Sequence, residues 1–177
     1  MRFMATRLKD AVLIELDKRG DNRGFFARTF CEAEFATAGL ATRFVQANAS
    51  GNPVAGTLRG MHYQLAPHAE VKVFRCPRGA IYDVIIDLRS DSPTYRQWQG
   101  FTLDAASGRM LYVPEGFAHG YQTLVDDTEV AYQVSHPYTP GAEQGIRHDD
   151  PAFKIVWPLP VSLISDKDAS WASFEPR

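Results

Sequence analysis

The chain has 177 residues, with 19 Lys plus Arg against 21 Asp plus Glu, a net charge of −2, 45% hydrophobic and 23% charged residues. These are the proportions of a globular domain; they exclude disorder over the bulk of the chain and argue against a basic surface built for nucleic acid. No apolar run approaches the roughly 20 residues of a membrane span, the start MRFMATRLKDAVLIELD lacks a secretory pattern, and the only cysteines, Cys31 and Cys76, read as reduced thiols, so a single cytoplasmic domain over residues 1–177 is expected, with neither membrane nor nucleic acid as partner.

In chain order, short β-rich runs alternate with turn residues. Val12 to Leu16 comes first, then Gly24 to Phe30. The alanine-rich stretch Cys31 to Ala38, stopped by Gly39, predicts a short helix. Strands follow at Thr57–Gln64, Val71–Cys76, Ala80–Leu88, Gln97–Leu103, Arg109–Val113, Tyr121–Val125 and Glu129–Ser135. Pro67, Pro77-Arg78-Gly79, Ser92-Pro93, Ser107-Gly108, Pro114-Glu115-Gly116 and Asp126-Asp127 punctuate them. Gly79 and Gly116 are expected in turns that require positive φ. Ala80–Leu88 is nearly all apolar and predicts a strand buried on both faces. Ser165 to Trp171 opens as Ser-x-x-Asp, a capping-box pattern for a C-terminal helix. Strands of this length and spacing predict an all-β sandwich or barrel.

Two glycine-marked segments each carry a histidine: Gly60-Met61-His62-Tyr63-Gln64 and Pro114-Glu115-Gly116-Phe117-Ala118-His119. Together with the many strands they resemble the cupin superfamily, which implies a double-sheet barrel, or jelly roll, here with N-terminal strands and short helices near residues 31–38 and the C-terminus. Many cupins hold a metal on a His-x-His pair, a Glu and the downstream His. This chain has Gln64 at the second position, and an amide is a poor ligand beside imidazole and carboxylate. His68 and Glu70 follow Pro67, whose turn is expected to point them away from the interior. Neither metal nor other cofactor is therefore expected.

A narrower resemblance covers about residues 21–168. Asp21-Asn22-Arg23-Gly24-Phe25-Phe26, Gly56 to Gln64, Arg78 to Val84 with Asp87-Leu88-Arg89, Pro114 to Gly120, Gly145 to Pro151 and Trp157-Pro158 are similar to the dTDP-4-dehydrorhamnose 3,5-epimerase family. The resemblance implies a nucleotide-linked 4-keto-6-deoxy sugar, dTDP-linked in the family, inverted at C3 and C5 without a cofactor. The C4 ketone acidifies both neighbouring carbons. Loss of a proton leaves a planar enolate, and a proton returned to the other face inverts the centre. The reaction needs a base, an acid opposite it, and positive charge for the enolate oxygen.

His62 is the candidate base, since imidazole is largely neutral at cell pH. By resemblance Asp168 orients it, in competition with its capping role in Ser165-Asp166-Lys167-Asp168. Tyr132 is the candidate acid. Lys72 and Arg59 supply charge. Strand alternation places Lys72 and Phe74 on one face, with Val71 and Val73 on the other. Asp83, inside an apolar strand, is expected to hold Lys72 or His119. For the nucleotide the resemblance nominates Arg23, Gln46, Asn48, Arg59, His119, Glu143 and Lys167, and it has Tyr138 stack on the thymine ring. Two residues depart from the family pattern. Arg28 replaces an acidic residue, and Gln133 stands where Lys is common, which bears on the choice of base and sugar. Alternatives are a CDP- or GDP-linked substrate, inversion at one carbon only, a metal-dependent cupin, or a sugar-nucleotide binder without turnover. Family members are dimers, so a homodimer is expected.

Overall fold

The computed structural model describes residues 1–175. In chain order the elements are β1 (Arg2–Ala5), β2 (Val12–Glu15), β3 (Arg19–Asp21), β4 (Gly24–Phe26), α1 (Glu32–Thr37), β5 (Gln46–Asn52), β6 (Leu58–Gln64), β7 (Lys72–Arg78), β8 (Ala80–Asp87), β9 (Trp98–Asp104), β10 (Met110–Val113), β11 (Phe117–Thr123), β12 (Thr128–Val134), β13 (Glu143–Gly145) and α2 (Asp166–Ala169). They form a six-stranded sheet in the order β1-β2-β10-β7-β12-β5 and a five-stranded sheet in the order β13-β6-β11-β8-β9, with β3-β4 as a separate hairpin. All strand pairs are antiparallel. The result is the two-sheet barrel that the strand spacing predicts.

The strands are amphipathic in layers. Phe74, Ile81, Ile85, Leu103, Leu111, Val113 and Val130 meet between the sheets. Ile14, Val71, Val73 and Met110 face out of the six-stranded sheet and pack on Phe35 of α1. Met61, Val84, Ile86 and Ala118 face out of the other sheet and are covered by Ile146, Phe153 and Trp157. β8 is therefore buried on both faces, as its apolar run requires. Its mid-strand inward break, Asp83, is fully buried.

Four strands, β1, β3, β5 and β13, are invisible in the local pattern, and each has a reason. β5 reads Gln-Ala-Asn-Ala-Ser-Gly-Asn, because its inward face lines a polar cavity rather than the core; seven residues of pairing with β12 hold it. β1 and β13 are short edge strands that exist through their partners β2 and β6. The expected strand Gly24–Phe30 ends at Phe26 and closes on Arg19–Asp21 instead of joining a sheet. The run predicted to begin at Tyr121 begins at Phe117. The helix predicted over Cys31–Ala38 is observed as Glu32–Thr37. It has no side-chain N-cap bond and is held by edge-on contacts of Phe35 with Phe3, Phe30 and Phe44. Both cysteines are free, and burial pushes the Cys76 thiol up to about 11.

Gly79 and Gly116 both have positive φ, at 79° and 77°. A Cβ on Gly79 would lie 2.4 Å from Thr128 Oγ1 and 3.0 Å from Thr128 Cα. Gly79→Val is therefore expected to cost about 3 kcal/mol from strain and overlap together, a fall in Tm of roughly 6–12 °C for a chain of this size, read by thermal denaturation. Unchanged melting would contradict the turn.

The β8–β9 turn is organised by Asp87. Its carboxylate accepts from Arg89 N, Nε and Nη2, from Ser92 Oγ and from Thr94 Oγ1 at 2.6–3.1 Å. Burial alone would raise this carboxyl, but those donors hold it below its ordinary value of 3.8. The stabilisation is thus complete above the unfolded value and fades as pH falls through the lower, folded one. Asp87→Asn is expected to lower stability by about 2 kcal/mol near neutrality and to flatten the acid limb of a Tm-versus-pH curve below about pH 4. An unaltered acid limb would show that other carboxylates control it.

Candidate active site

β6 carries the centre of the site. A register shift between β11 and β6 pairs His119 with His62 but Tyr121 with Arg59. Strict alternation would send residues three apart to opposite faces. The irregularity at Gly60-Met61 instead turns Arg59 and His62 to the same cavity. Opposite them, β12 and β7 present Tyr132 beside Phe74 and Val134 beside Lys72. On the β5 side Tyr132 pairs with Asn48 and Val134 with Gln46. The alternation predicted for Lys72 and Phe74 is the one observed.

His62 Nε2 lies 2.6 Å from Asp168 Oδ1, across 106 residues of chain. Asp168 comes from α2, and its other oxygen accepts from Gly60 N at 3.1 Å. Its backbone N–H is capped by Ser165 Oγ at 3.1 Å. The Asp168 side chain is thus committed to His62 and Gly60, and only the Ser165 half of the capping box is formed. Burial would raise the Asp168 carboxyl, yet the bonds from His62 and Gly60 hold it below its ordinary value. With Asp168 ionised, Nε2 must carry the hydrogen of the shared bond, which leaves the Nδ1 lone pair to accept a proton. Trp171, expected only as the end of the C-terminal helix, lies beyond its observed span Asp166–Ala169 and edge-on to His62, with ring centroids 6.4 Å apart.

Tyr132 stacks on Phe74 at 4.4 Å with only 5° between the planes. Among the described residues its hydroxyl has no hydrogen-bond partner. Burial raises its pKa above the ordinary 10.0, so the phenol keeps its proton through the neutral range. His62, Tyr132 and Lys72 line one cavity of about 140 Å³, with Gln46, Asn48, Tyr138 and Glu143 toward its mouth. His62 also opens on a second cavity of about 410 Å³ with Arg59, Lys167 and Asp168. Lys167 is bonded to Glu143, which links the two rims. Tyr138 is exposed at the mouth, its hydroxyl 3.2 Å from Glu143 Oε2.

Several expected positions differ. Arg23 lies on the β3–β4 hairpin, 85% exposed and paired with Asp21, and lines neither cavity. His119 is buried under Phe74, not at the mouth, with Nε2 2.5 Å from Asp83 Oδ1. Burial depresses the His119 pKa even against the pull of Asp83, so this is a neutral imidazole at cell pH. Asp83 holds His119 and not Lys72. Glu70, expected to turn away, turns inward: Lys72 Nζ pairs with its Oε1 at 3.1 Å. The prolyl turn closes with His68 N donating to the Leu65 carbonyl at 2.9 Å, and the bonds to Gln64 and Lys72 hold Glu70 in the interior after it. Gln133 alternates with Tyr132 and faces an outer groove with Val73 and Met110, so its departure from the family pattern does not touch the site. Arg28 is tied to Glu34 at 3.1 Å, away from both cavities.

The dTDP-4-dehydrorhamnose 3,5-epimerase family profile matches residues 5–176. The chain belongs to this family. It is an isomerase with the cupin barrel, an epimerase of a nucleotide-linked 4-keto-6-deoxy sugar. A dTDP-4-dehydrorhamnose 3,5-epimerase of Sinorhizobium fredii is 41% identical over 98% of this chain and 89% of its own. The Bacillus anthracis dTDP-4-dehydrorhamnose 3,5-epimerase, solved with TDP and PPi bound, superposes with a TM-score of 0.95 at 42% identity, covering 98% of this chain and 99% of that one. A Legionella pneumophila epimerase in complex with dTDP-4-keto-L-rhamnose gives 0.90 at 36% identity, covering 96% and 90%.

Proposed function

We propose that this epimerase inverts both C3 and C5 of a dTDP-linked 4-keto-6-deoxy sugar, with His62 as base and Tyr132 as acid. Support comes from one geometric fact: the two side chains reach the same cavity from opposite sheets, with Lys72 beside them. His62 Nδ1 takes the proton from the carbon next to the ketone. The C–H pair becomes the enolate double bond, and the carbonyl pair moves onto the C4 oxygen. Lys72 faces that oxygen with its ammonium, the kind of pre-placed donor that is most effective in a partly dry site. Tyr132 then returns a proton to the opposite face, and the carbonyl re-forms. Asp168 keeps the imidazole in the reactive tautomer and balances the imidazolium. Among the described residues, Arg59 and Lys167 suit the diphosphate, and Tyr138 suits the base at the mouth.

The test is a set of dTDP-, CDP- and GDP-linked 4-keto-6-deoxy sugars incubated with the protein in heavy water and read by mass. Two deuterons in the dTDP sugar are expected, and little uptake in the others. One deuteron would reduce the reaction to a single centre. Binding without uptake would make the protein a binder only.

The partner we propose is a second copy of the chain, and the location the cytoplasm. The β3–β4 hairpin leaves Phe25 and Phe26 62% and 70% exposed, beside Arg23, on an arm that belongs to neither sheet. Covering two such rings is the ordinary reason for an arm of this kind. Sedimentation at micromolar concentration is expected to give the dimer mass, and a monomer would overturn this. No helix among the described residues is long and apolar enough to cross a membrane.

A further inference from the structure

One buried charge has no part in the chemistry described so far. Glu70 lies two residues before Lys72 with its side chain only 7% exposed. A carboxylate at that depth is costly unless it is paired and hydrogen-bonded. Here both oxygens are used. Oε1 meets Lys72 Nζ, and Oε2 accepts from Gln64 Nε2 at 2.5 Å.

Gln64 is itself pinned by the main chain. Its Oε1 accepts from Thr139 N at 2.7 Å, and its Nε2 also lies 3.0 Å from the His68 carbonyl and 3.3 Å from that of Pro137. A chain of bonds thus runs from the loop that carries Tyr138, through Gln64 and Glu70, to the Lys72 ammonium. Lys72 Nζ has three hydrogens to place. Nζ pairs with Glu70 and lies 3.4 Å from the His62 carbonyl, which leaves one hydrogen for the cavity that Lys72 lines with His62 and Tyr132.

A carboxylate is the group that fits between two donors. An amide offers one accepting end and one donating end, so it would turn an N–H toward either Lys72 or Gln64. The Glu70 charge also adds to burial in keeping the Tyr132 phenol protonated.

We propose that Glu70 is a positioning residue for epimerisation: anchored by Gln64, it holds the Lys72 ammonium at the point where negative charge develops on the substrate oxygen. This rests on the assignment of Lys72 to that oxygen under the proposed function. Glu70 acts through Lys72 and takes no proton itself.

The test compares the parent, Glu70→Gln, Lys72→Met and the double variant, with a dTDP-linked 4-keto-6-deoxy sugar in heavy water. Deuterium uptake is followed at saturating substrate and at low substrate, and dTDP affinity is measured in parallel. Glu70→Gln is expected to slow uptake at saturation about tenfold or more, the scale of a displaced catalytic group, with KM and dTDP affinity little altered. In the Lys72→Met background the same change is expected to have almost no further effect. Full activity in Glu70→Gln, or effects that multiply in the double variant, would overturn the proposal. Unimpaired uptake in Lys72→Met would instead overturn the role of Lys72 beneath it. If Glu70→Gln folds poorly, Gln64→Met removes the anchor and leaves both charges in place. It is expected to slow uptake in smaller measure, again only while Lys72 is present, and parent-like uptake there would refute the anchoring.

Discussion

His62→Ala is expected to abolish deuterium uptake at C3 and C5 while dTDP still binds. General base catalysis contributes on the order of 10²–10⁴-fold, and among the described residues no other imidazole that lines the cavity of His62 is oriented by a carboxylate. His119 faces His62 across the β11–β6 pair, but its Nε2 is engaged by Asp83 in the buried layer. His136 lines the rim of the cavity, with its Nδ1 2.9 Å from the Pro137 carbonyl. Truncation also strips Asp168 of its closest partner, and a buried carboxylate left unpaired destabilises a fold. His62→Asn separates the two effects, because its amide can still donate to Asp168 without acting as a base. Both variants are expected to lose uptake, with Asn the better folded. Calorimetry with dTDP should find affinity within about twofold of the parent, since the diphosphate and base contacts proposed lie elsewhere on the rims. Uptake at the parent rate in either variant would remove His62 from the mechanism.

Tyr132→Phe is expected to split the reaction in two. The ring still stacks on Phe74, so the barrel wall is kept, and the hydroxyl gives up no hydrogen bond within the described structure. Stability should therefore change by less than about 0.5 kcal/mol. The base and its carboxylate remain, and protons continue to leave the substrate. What is lost is delivery from the opposite face. Net inversion should fall by on the order of 10²-fold or more, while washout of the substrate hydrogen falls far less. Mass measures the washout, and chromatography or NMR of the sugar measures the inversion. Equal losses in both would count against Tyr132 as the acid.

The legibility of the site varied with how locally each role is encoded. The motif around His62, the order of turn glycines and the apolar run of β8 are local features: the glycines occupy positive-φ turns, β8 is buried on both faces, and His62 lines the cavity proposed as the active site. Lys72 was readable because ordinary alternation holds along β7. Arg59 was readable only by resemblance, since alternation alone would separate it from His62. Glu70 defies its local context, because the chain after the prolyl turn leads inward and not outward. β5 was missed because a strand that lines a polar cavity carries no apolar alternation at all. Gln133, a departure from the family pattern, lies on the outer face of its strand, away from the cavity of His62 and Lys72.

Turn spacing alone predicts an all-β chain, and the ordered motifs alone carry the resemblance to its family, which in turn implies the enolate chemistry and His62 as the proposed base. These are properties of short stretches, and short stretches are enough to specify them. The long-range arrangement was settled by the folded barrel: Asp168 reaching His62 across 106 residues, the irregularity that brings Arg59 to the cavity of His62, Tyr132 facing His62 from the other sheet, and Glu70 braced between Gln64 and Lys72. The reason is physical. Which face a side chain takes depends on ladder register, and a single irregularity reverses its parity. Which charges share a cavity depends on how two sheets close over it, and neither can be read one segment at a time.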